Sequence, residues 1–215
     1  MAELFVELKY GNMSAESEVM SQKTGEYDHL VNRWKGVEYP ENDSVEIVKE
    51  LKEISKAVNS MDNFTMTECL KADSNLNLYI FEKLDKKVSQ KLIKNLTQML
   101  APSVLKLKKH YQRPRPFQVA YHLNVPLFPF NTQSAHSPSF PSGHASQTRY
   151  ACNMLATLYP HLKKELEEIQ GFVSDSRILL GVHFPSDNET GFDFADDCYD
   201  DDKTEKILES ISRLM

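Results

Sequence analysis

The apolar residues of this sequence recur every three or four positions, which is the spacing along one face of an α-helix. The clearest run consists of Val45, Val48, Leu51, Ile54 and Val58. It follows Asp43 and Glu46, whose spacing is that of a capping box. The same periodicity extends over residues 76–84 and 88–100. Glycine occurs only 7 times in 215 residues, and few β-branched runs alternate with polar residues. The sequence therefore predicts an all-α fold.

Prolines mark where several of these helices begin and end. Pro102 favours a helix that continues to about Tyr111 and ends before Pro114 and Pro116. Residues 113–141 contain six of the 10 prolines and several aromatic residues, so we expect a long, ordered loop there. Four further helices are predicted: residues 142–159, residues 160–182, a helix beginning at residue 185, and residues 204–214.

The length of the chain suits a single domain with its own hydrophobic core. Residues 1–42 are polar and poorly defined, and we expect them to combine loop with one helix near residues 27–34. Residues 43–215 are expected to form the helical domain. No internal repeat or low-complexity segment divides them.

Charge and composition exclude several classes of protein. The chain has 31 acidic and 25 basic residues and a net charge of -6, which argues against nucleic acid as a partner. No apolar run approaches the roughly 18 to 20 residues that a membrane span needs. The three cysteines (Cys69, Cys152 and Cys198) are widely spaced, so we expect reduced thiols. Because the N-terminus also lacks the pattern of a secretory signal, the sequence predicts a cytoplasmic protein.

Two segments in the second half of the chain carry residues suited to binding an anion. The first, from Lys108 to Arg115, is strongly basic. The second, Pro141-Ser-Gly-His144, is predicted to begin a helix, where unpaired N–H groups and the helix dipole attract negative charge. Taken alone, the first also fits a charge cluster at a helix C-terminus, and the second fits an ordinary serine N-cap with an exposed histidine.

A third segment contains Arg177, His183 and Asp187. A carboxylate that accepts a hydrogen bond from one ring nitrogen of histidine fixes the tautomer and leaves the other nitrogen as a nucleophile or ligand. Taken alone, His183 and Asp187 fit a surface ion pair near a helix start, and Arg177 fits a solvated arginine. The specific signal is therefore the combination of the three segments.

Together the segments match a tripartite phosphatase signature: Lys-x6-Arg-Pro, then Pro-Ser-Gly-His, then Ser-Arg-x5-His-x3-Asp. In this pattern the chain resembles the type 2 phosphatidic acid phosphatase superfamily, and within it the soluble branch of class A non-specific acid phosphatases. The superfamily also includes the vanadium-dependent haloperoxidases. The resemblance covers about residues 100–200. It implies a single-domain helical bundle of the acid phosphatase and haloperoxidase type, with the three segments meeting at one end.

Two registers satisfy the first part of the signature, namely Lys106 with Arg113 and Lys108 with Arg115. The surrounding residues are more similar to the acid phosphatase version in the second register. We therefore expect Lys108 and Arg115 to be the signature pair, while Lys106 and Arg113 add positive charge nearby.

The resemblance implies a metal-independent phosphomonoesterase that acts through a phosphohistidine intermediate. His183 is the implied nucleophile, Asp187 orients its ring, and His144 is the implied general acid and base. The implied phosphate-binding residues are Lys108, Arg115, Ser142, Gly143 and Arg177. No cofactor or metal is implied, and vanadate is expected to inhibit the enzyme because it mimics pentavalent phosphorus.

A small soluble phosphate ester, such as a nucleotide or a sugar phosphate, is the expected substrate, and phosphotransfer to alcohols is a conceivable side activity. Other functions stay open at this point. They are a vanadate-dependent haloperoxidase with vanadate as its cofactor, a lipid phosphate phosphatase acting peripherally at a membrane, and a non-catalytic anion-binding module. The last of these would need neither histidine. A homodimer also remains open.

Overall fold

The computed structural model of the protein describes residues 8–214, and no β-strand occurs among them. The helices are α1 (Ala15–Gln22), α2 (Asp28–Trp34), α3 (Val45–Ser60), α4 (Asn63–Ser74), α5 (Leu76–Lys83), α6 (Gln90–Met99), α7 (Ala101–Tyr111), α8 (Pro116–Leu123), α9 (Gly143–Leu158), α10 (Lys163–Leu179), α11 (Pro185–Tyr199) and α12 (Asp202–Ser212). A 3-10 helix, Pro160–Leu162, precedes α10. The predicted all-α class is therefore confirmed.

Helix α9 is at the centre of the fold. It packs against α6, α7, α10, α11 and α12, and its buried residues occur on almost every side. Many of them are small, including Ala145, Ser146 and Ala151, so the neighbouring helices can approach its axis closely. The larger Tyr150 and Leu155 fill the main hydrophobic cluster. The N-terminus of α9 is thereby fixed relative to all of the elements that surround it.

The N-terminal segment contributes to the same core. Tyr27, Leu30 and Val31 all belong to the main hydrophobic cluster. The hydroxyl group of Tyr27 is fully buried and lies 2.7 Å from the hydroxyl oxygen of Thr204 in α12, so it has a hydrogen-bond partner. The poorly defined sequence before residue 43 thus forms part of the packed structure from residue 8 onwards, and residues 1–7 lie outside the described part of the chain.

Residues 113–141 are not one continuous loop, because α8 occupies part of this range. The prediction treated Pro116 as the end of a helix, but Pro116 is the first residue of one. At that position proline is favoured, since its missing N–H group would have no partner within the helix. The side chain of Gln118 caps the new helix by accepting a hydrogen bond from the Arg115 N–H group at 2.8 Å. Asn124, with a φ of 55°, ends it.

Other helix boundaries also differ from the predictions. The N-cap of α3 is Ser44 rather than Asp43, and its hydroxyl oxygen accepts a hydrogen bond from the Ile47 N–H group at 3.1 Å. Val45 is 81% exposed, and Ile47 takes its place in the core. Helix α10 ends at Leu179, three residues before the predicted end, because the chain turns at Gly181, where φ is 73°. Helices α1 and α4 were not predicted, because neither has a clear apolar periodicity.

Candidate active site

The three signature segments meet where α7 ends, where α9 begins and where α10 connects to α11. The Ser142 N–H group donates a hydrogen bond to the carbonyl oxygen of Asp187 at 2.9 Å, which joins the second segment to the third. The Ser139 N–H group donates to the carbonyl oxygen of Arg113 at 3.0 Å, which joins the connecting loop to the first. A Cβ atom at Gly191 would lie 2.9 Å from the Ser142 carbonyl oxygen, so a glycine in α11 allows this close approach.

The imidazole of His183 is held in one tautomer. Its Nδ1 atom lies 3.0 Å from the Asp187 Oδ2 atom, and its Nε2 atom lies 2.8 Å from the Arg115 Nη1 atom. A guanidinium group has only donors, so Nε2 must accept this hydrogen bond. The ring proton is therefore on Nδ1, which donates to the carboxylate. His183 carries a lone pair on Nε2, as a nucleophile requires.

Burial also keeps His183 neutral. Its side chain is almost fully buried, and burial is the main cause that lowers its pKa well below the ordinary value. The cationic groups of Arg115, Lys108 and Arg177 lower this pKa further. A neutral imidazole, whose Nε2 lone pair accepts the hydrogen bond from Arg115, is consequently the stable form when the cavity holds no anion.

Asp187 is a fully buried carboxylate with several donors. The backbone N–H group of Phe184 donates to Oδ2 at 2.9 Å, and the Arg113 Nη1 atom donates to Oδ1 at 2.5 Å. The Arg113 guanidinium lies over the rings of Tyr39, at 4.6 Å, and Phe184, at 4.3 Å, with cation–π geometry. Arg113 therefore acts behind Asp187, where it neutralises the buried carboxylate.

The two registers of the first signature segment have different surroundings. Lys106 donates a hydrogen bond to the Asp28 carboxylate, and Arg113 is bound to Asp187. Lys108 and Arg115, in contrast, both line a cavity that also contains His183. Lys108 and Arg115, the second register, are therefore the pair that faces this cavity.

Lys108 and Arg115 are buried cations held by backbone carbonyl groups. The Lys108 ammonium donates to Pro138 O at 2.5 Å and to Ser139 O at 3.0 Å. Arg115 donates from Nε to Ser137 O at 2.9 Å and from Nη1 to Val182 O at 2.8 Å.

Burial is the main cause that lowers the pKa of Lys108 well below its ordinary value and the pKa of Arg115 to about 10. The charge of Arg115 lowers the pKa of Lys108 further, and the charge of Arg177 lowers the pKa of Arg115 further. A bound anion would relieve the mutual repulsion of these cations.

The start of α9 supplies the second segment. Ser142 is the N-cap, and its hydroxyl oxygen accepts a hydrogen bond from the Ala145 N–H group at 3.4 Å. Gly143 and His144 follow it and line the same cavity. Burial lowers the pKa of His144 to about 3, and the charges of Arg177, Lys108 and Arg115 act in the same direction, against Asp73. Like His183, His144 is neutral without an anion.

Arg177 is fully buried and has a carboxylate partner that the sequence analysis did not identify. Its Nη1 atom donates to Asp73 Oδ1 at 2.9 Å, and its Nη2 atom donates to the Ser134 hydroxyl oxygen at 2.9 Å. Burial raises the pKa of Asp73, but the Arg177 charge and the hydrogen bond from Ser134 lower it more. The Nε atom of Arg177 is buried and has no hydrogen-bond partner within the described protein. Arg177 is therefore oriented and still has one donor to offer.

The cavity has a volume of about 320 Å³. Its lining includes Lys108, Arg115, Ser134, Ser137, Gly143, His144, Gln147 and His183, together with Glu16, Ser17, Ala101, Val104 and Leu105. Five of the eight predicted site residues thus line one cavity. Ser142, Arg177 and Asp187 are buried and contact the backbone or side chains around it.

Three residues of the site and its surroundings were not predicted, namely Asp73, Ser134 and Glu16. Asp73 lies within α4 and Glu16 within α1, neither of which was predicted, and Ser134 lies in the connecting loop. None of them belongs to a motif: Glu16 and Ser134 reach the cavity, and Asp73 reaches Arg177, only through long-range packing. No local signal in the sequence could have identified them.

The comparisons with known proteins agree with the predicted class. The sequence matches the PAP2 superfamily over residues 91–195, and these residues form a PAP2 superfamily domain. All eight predicted site residues lie within this range, whereas Asp73 and Glu16 lie before it. The match of this domain supports a phosphatase. Membership of the class A branch stays a prediction.

A solved structure and the curated proteins complete the comparison. The structure of the first transmembrane PAP2 type phosphatidylglycerolphosphate phosphatase from Bacillus subtilis aligns with 94% of this chain and 98% of its own. The TM-score is 0.49 and the sequence identity is 18%. No curated protein matches the sequence of the chain.

Two further observations concern residues 8–214. No helix in this range is both long and apolar enough to cross a membrane. Nor does it contain three or more histidine, cysteine, aspartate or glutamate side chains grouped so that they could hold a metal ion.

Proposed function

We propose that the protein is a metal-independent phosphomonoesterase that acts by double displacement through a phosphohistidine on His183. One observation carries this proposal: Nδ1 of His183 donates to Asp187 while Nε2 accepts from Arg115. This arrangement leaves a lone pair on Nε2 beside a cationic group, within a cavity lined by a second histidine. An anion-binding module without activity would need neither the fixed tautomer nor His144.

In the first step, the Nε2 lone pair of His183 attacks phosphorus, and the bond between phosphorus and the ester oxygen breaks. His144, once protonated, gives its proton to the leaving alkoxide. The developing imidazolium of His183 is stabilised by Asp187, which is the role of a buried carboxylate beside a nucleophilic or basic histidine. The Arg115 guanidinium, which donates to Nε2 before the reaction, transfers that hydrogen bond to a phosphate oxygen.

In the second step, a water molecule attacks the phosphohistidine. His144 accepts a proton from the water, the phosphorus–nitrogen bond breaks, and phosphate leaves. An alcohol in place of water would give phosphotransfer, so this side activity follows from the same intermediate.

Positive charge on the protein takes the place of a metal ion in this proposal. Lys108 and Arg115, which line the cavity, supply donors for the equatorial oxygens of phosphorus, and the buried, unpartnered Nε atom of Arg177 is the next donor behind them. Transition-state charge spreads over these oxygens during phosphoryl transfer, and fixed donors stabilise it without reorganisation. The volume of about 320 Å³ favours a small phosphate ester over a large one.

A phosphate-release assay tests this function directly. We expect p-nitrophenyl phosphate and small sugar phosphates to be hydrolysed in the presence of EDTA at the rate seen without it. Vanadate should inhibit competitively, because it takes the geometry of pentavalent phosphorus among the same donors. Loss of activity in EDTA that returns with a divalent metal would contradict the metal-independent mechanism. Halide oxidation that depends on peroxide and vanadate would instead indicate a haloperoxidase.

Binding of an oxyanion should be coupled to proton uptake. Without an anion, the pKa of His144 is about 3 and that of Lys108 is lowered, mainly because both groups are buried among cations. A bound phosphate or vanadate adds negative charge, which raises both pKa values. Each group thus has a lower pKa in the free protein and a higher pKa in the complex. At a pH between these two values, the complex binds more protons than the free protein. Affinity should therefore rise as the pH falls through this interval.

Calorimetry of phosphate binding at pH about 6 in buffers of different ionisation enthalpy measures this uptake. The measured heat of binding should vary with the ionisation enthalpy of the buffer, with the sign that corresponds to protons taken up by the protein. Proton release, or no exchange at all, would contradict the proposed role of His144 as a group that gains its proton with the substrate.

A further inference from the structure

The cavity has a buried, cationic floor and a more exposed rim. Lys108, Arg115 and His183 are buried, and they form the floor. Among the cavity-lining residues that the structure describes, Glu16 is the one acidic residue, and its side chain is exposed. The other more accessible lining residues, which include Ser17, Ala101, Leu105 and Gln147, are uncharged. The charge of the lining therefore changes sign from the floor to the rim.

Helix α1 holds Glu16 in this position. The helix packs along α7, which carries Lys108. The Ser14 N–H group donates to the His136 carbonyl oxygen at 2.9 Å, at the start of α1. One turn further on, Glu18 forms an ion pair with Lys109 at 2.6 Å. The helix is thus fixed both to α7 and to the loop that carries Ser134, so the backbone of Glu16 stays beside the cavity.

We propose that Glu16 makes the enzyme select substrates by the charge of the leaving alcohol. This inference rests on the proposed function, in which the phosphate group occupies the cationic floor. The alcohol part of the ester then extends towards the rim, where the lining offers no cation to balance a second anionic group. The carboxylate repels a carboxylate or a second phosphate there and attracts an ammonium group. The preferred substrates are phosphomonoesters whose alcohol is neutral or cationic.

A charge at the mouth of the cavity can select between substrates because it acts over the distance to the leaving group. Charges that are partly exposed still interact across distances of up to a Debye length, which is about 8 Å at physiological ionic strength. A leaving group in a cavity of about 320 Å³ lies within this range of the rim. The selection also comes from a segment before the PAP2 superfamily domain, so other proteins with this domain need not share it.

Two substrates of similar size, whose alcohol parts carry opposite charges, test the proposal, namely phosphoethanolamine with its ammonium group and phosphoglycolate with its carboxylate. The measured quantity is the ratio of kcat/KM for the first to kcat/KM for the second. Glu16→Gln is expected to lower this ratio about tenfold at low ionic strength, and Glu16→Lys about a hundredfold. Each variant is compared with the wild type on the same two substrates, so the intrinsic reactivity of the esters cancels. In about 0.5 M salt the changes should shrink to less than about threefold.

Glu53→Lys is the matched control, because Glu53 is exposed on α3 and does not line the cavity. It makes the same change in net charge and should leave the ratio unchanged. A ratio that is unaffected by Glu16→Gln and Glu16→Lys would overturn the proposal, as would an equal change in Glu53→Lys. Melting temperatures near that of the wild type would show that the variants are folded.

Failure of the proposed function is distinguishable from failure of this inference. If the wild type released no phosphate from p-nitrophenyl phosphate, the phosphatase mechanism would be wrong. The dissociation constants of the same two compounds, measured by calorimetry on the three proteins, would still test Glu16. We expect the wild type to bind phosphoethanolamine more tightly than phosphoglycolate. In Glu16→Gln and Glu16→Lys the ratio of the two dissociation constants should shift in favour of phosphoglycolate.

Discussion

Replacing His183 with alanine should lower kcat/KM for p-nitrophenyl phosphate by about 10⁴-fold or more. The substitution removes the Nε2 lone pair, and no other nucleophile takes its place beside Arg115. Acid-labile phosphate, trapped on the wild-type protein by rapid quenching during turnover, should be absent from this variant. Phosphate should still bind, because Lys108 and Arg115 remain in the cavity.

His161→Ala is a suitable control for this experiment, since His161 is an exposed histidine outside the cavity. It should leave both the rate and the trapped phosphoenzyme unchanged. If His183→Ala kept more than about a tenth of the activity, or if the trapped phosphate remained, another residue would have to be the nucleophile. Calorimetric binding of phosphate by the variant separates loss of the covalent step from loss of the site.

Replacing His144 with alanine should affect substrates according to their leaving groups. For an alkyl phosphate such as glycerol phosphate, kcat/KM should fall by about 10²- to 10⁴-fold, because the alkoxide leaves without a proton. For p-nitrophenyl phosphate the fall should be much smaller, since p-nitrophenolate leaves readily. The ratio kcat/KM is the relevant quantity because it reports the steps up to formation of the phosphoenzyme. The later hydrolysis, which also needs His144, does not enter it.

The same variant should accumulate phosphoenzyme with p-nitrophenyl phosphate. His144 is the proposed base for attack by water, so its loss slows the second step more than the first for a good leaving group. A burst of p-nitrophenol, equal in amount to the enzyme, is the expected signal. Equal losses for both substrates and no burst would show that the two histidines do not divide the work in this way.

The all-α class could be predicted from sequence because helical periodicity is a local property. Helices α5, α6 and α7 begin and end within two residues of the predicted limits. Prolines were harder to interpret, as Pro116 illustrates. A proline can end one helix or begin the next, and the choice depends on which backbone groups find partners. The sequence around α8 did not contain that information.

The candidate site was predictable in its residues but not in its geometry. The spacing of the three signature segments named Lys108, Arg115, His144 and His183. Spacing alone could not distinguish this set from the register of Lys106 and Arg113, because both registers satisfy the same pattern, and the expectation of Lys108 and Arg115 depended on the resemblance of the surrounding residues. The ion pairs that occupy Lys106 and Arg113 are formed with Asp28 and Asp187, which are distant in sequence. Such pairs exist only in the folded chain.

The sequence by itself therefore determined the helical class and the PAP2 superfamily domain, and it predicted which side chains are reactive. These depend on local spacing and on motifs whose members lie close together along the chain. Only the tertiary structure decided the tautomer of His183, the partner of Arg177 and the place of Glu16 at the rim. Each of these is set by packing between segments far apart in sequence, where burial and the balance of nearby charges fix which protons and ion pairs persist.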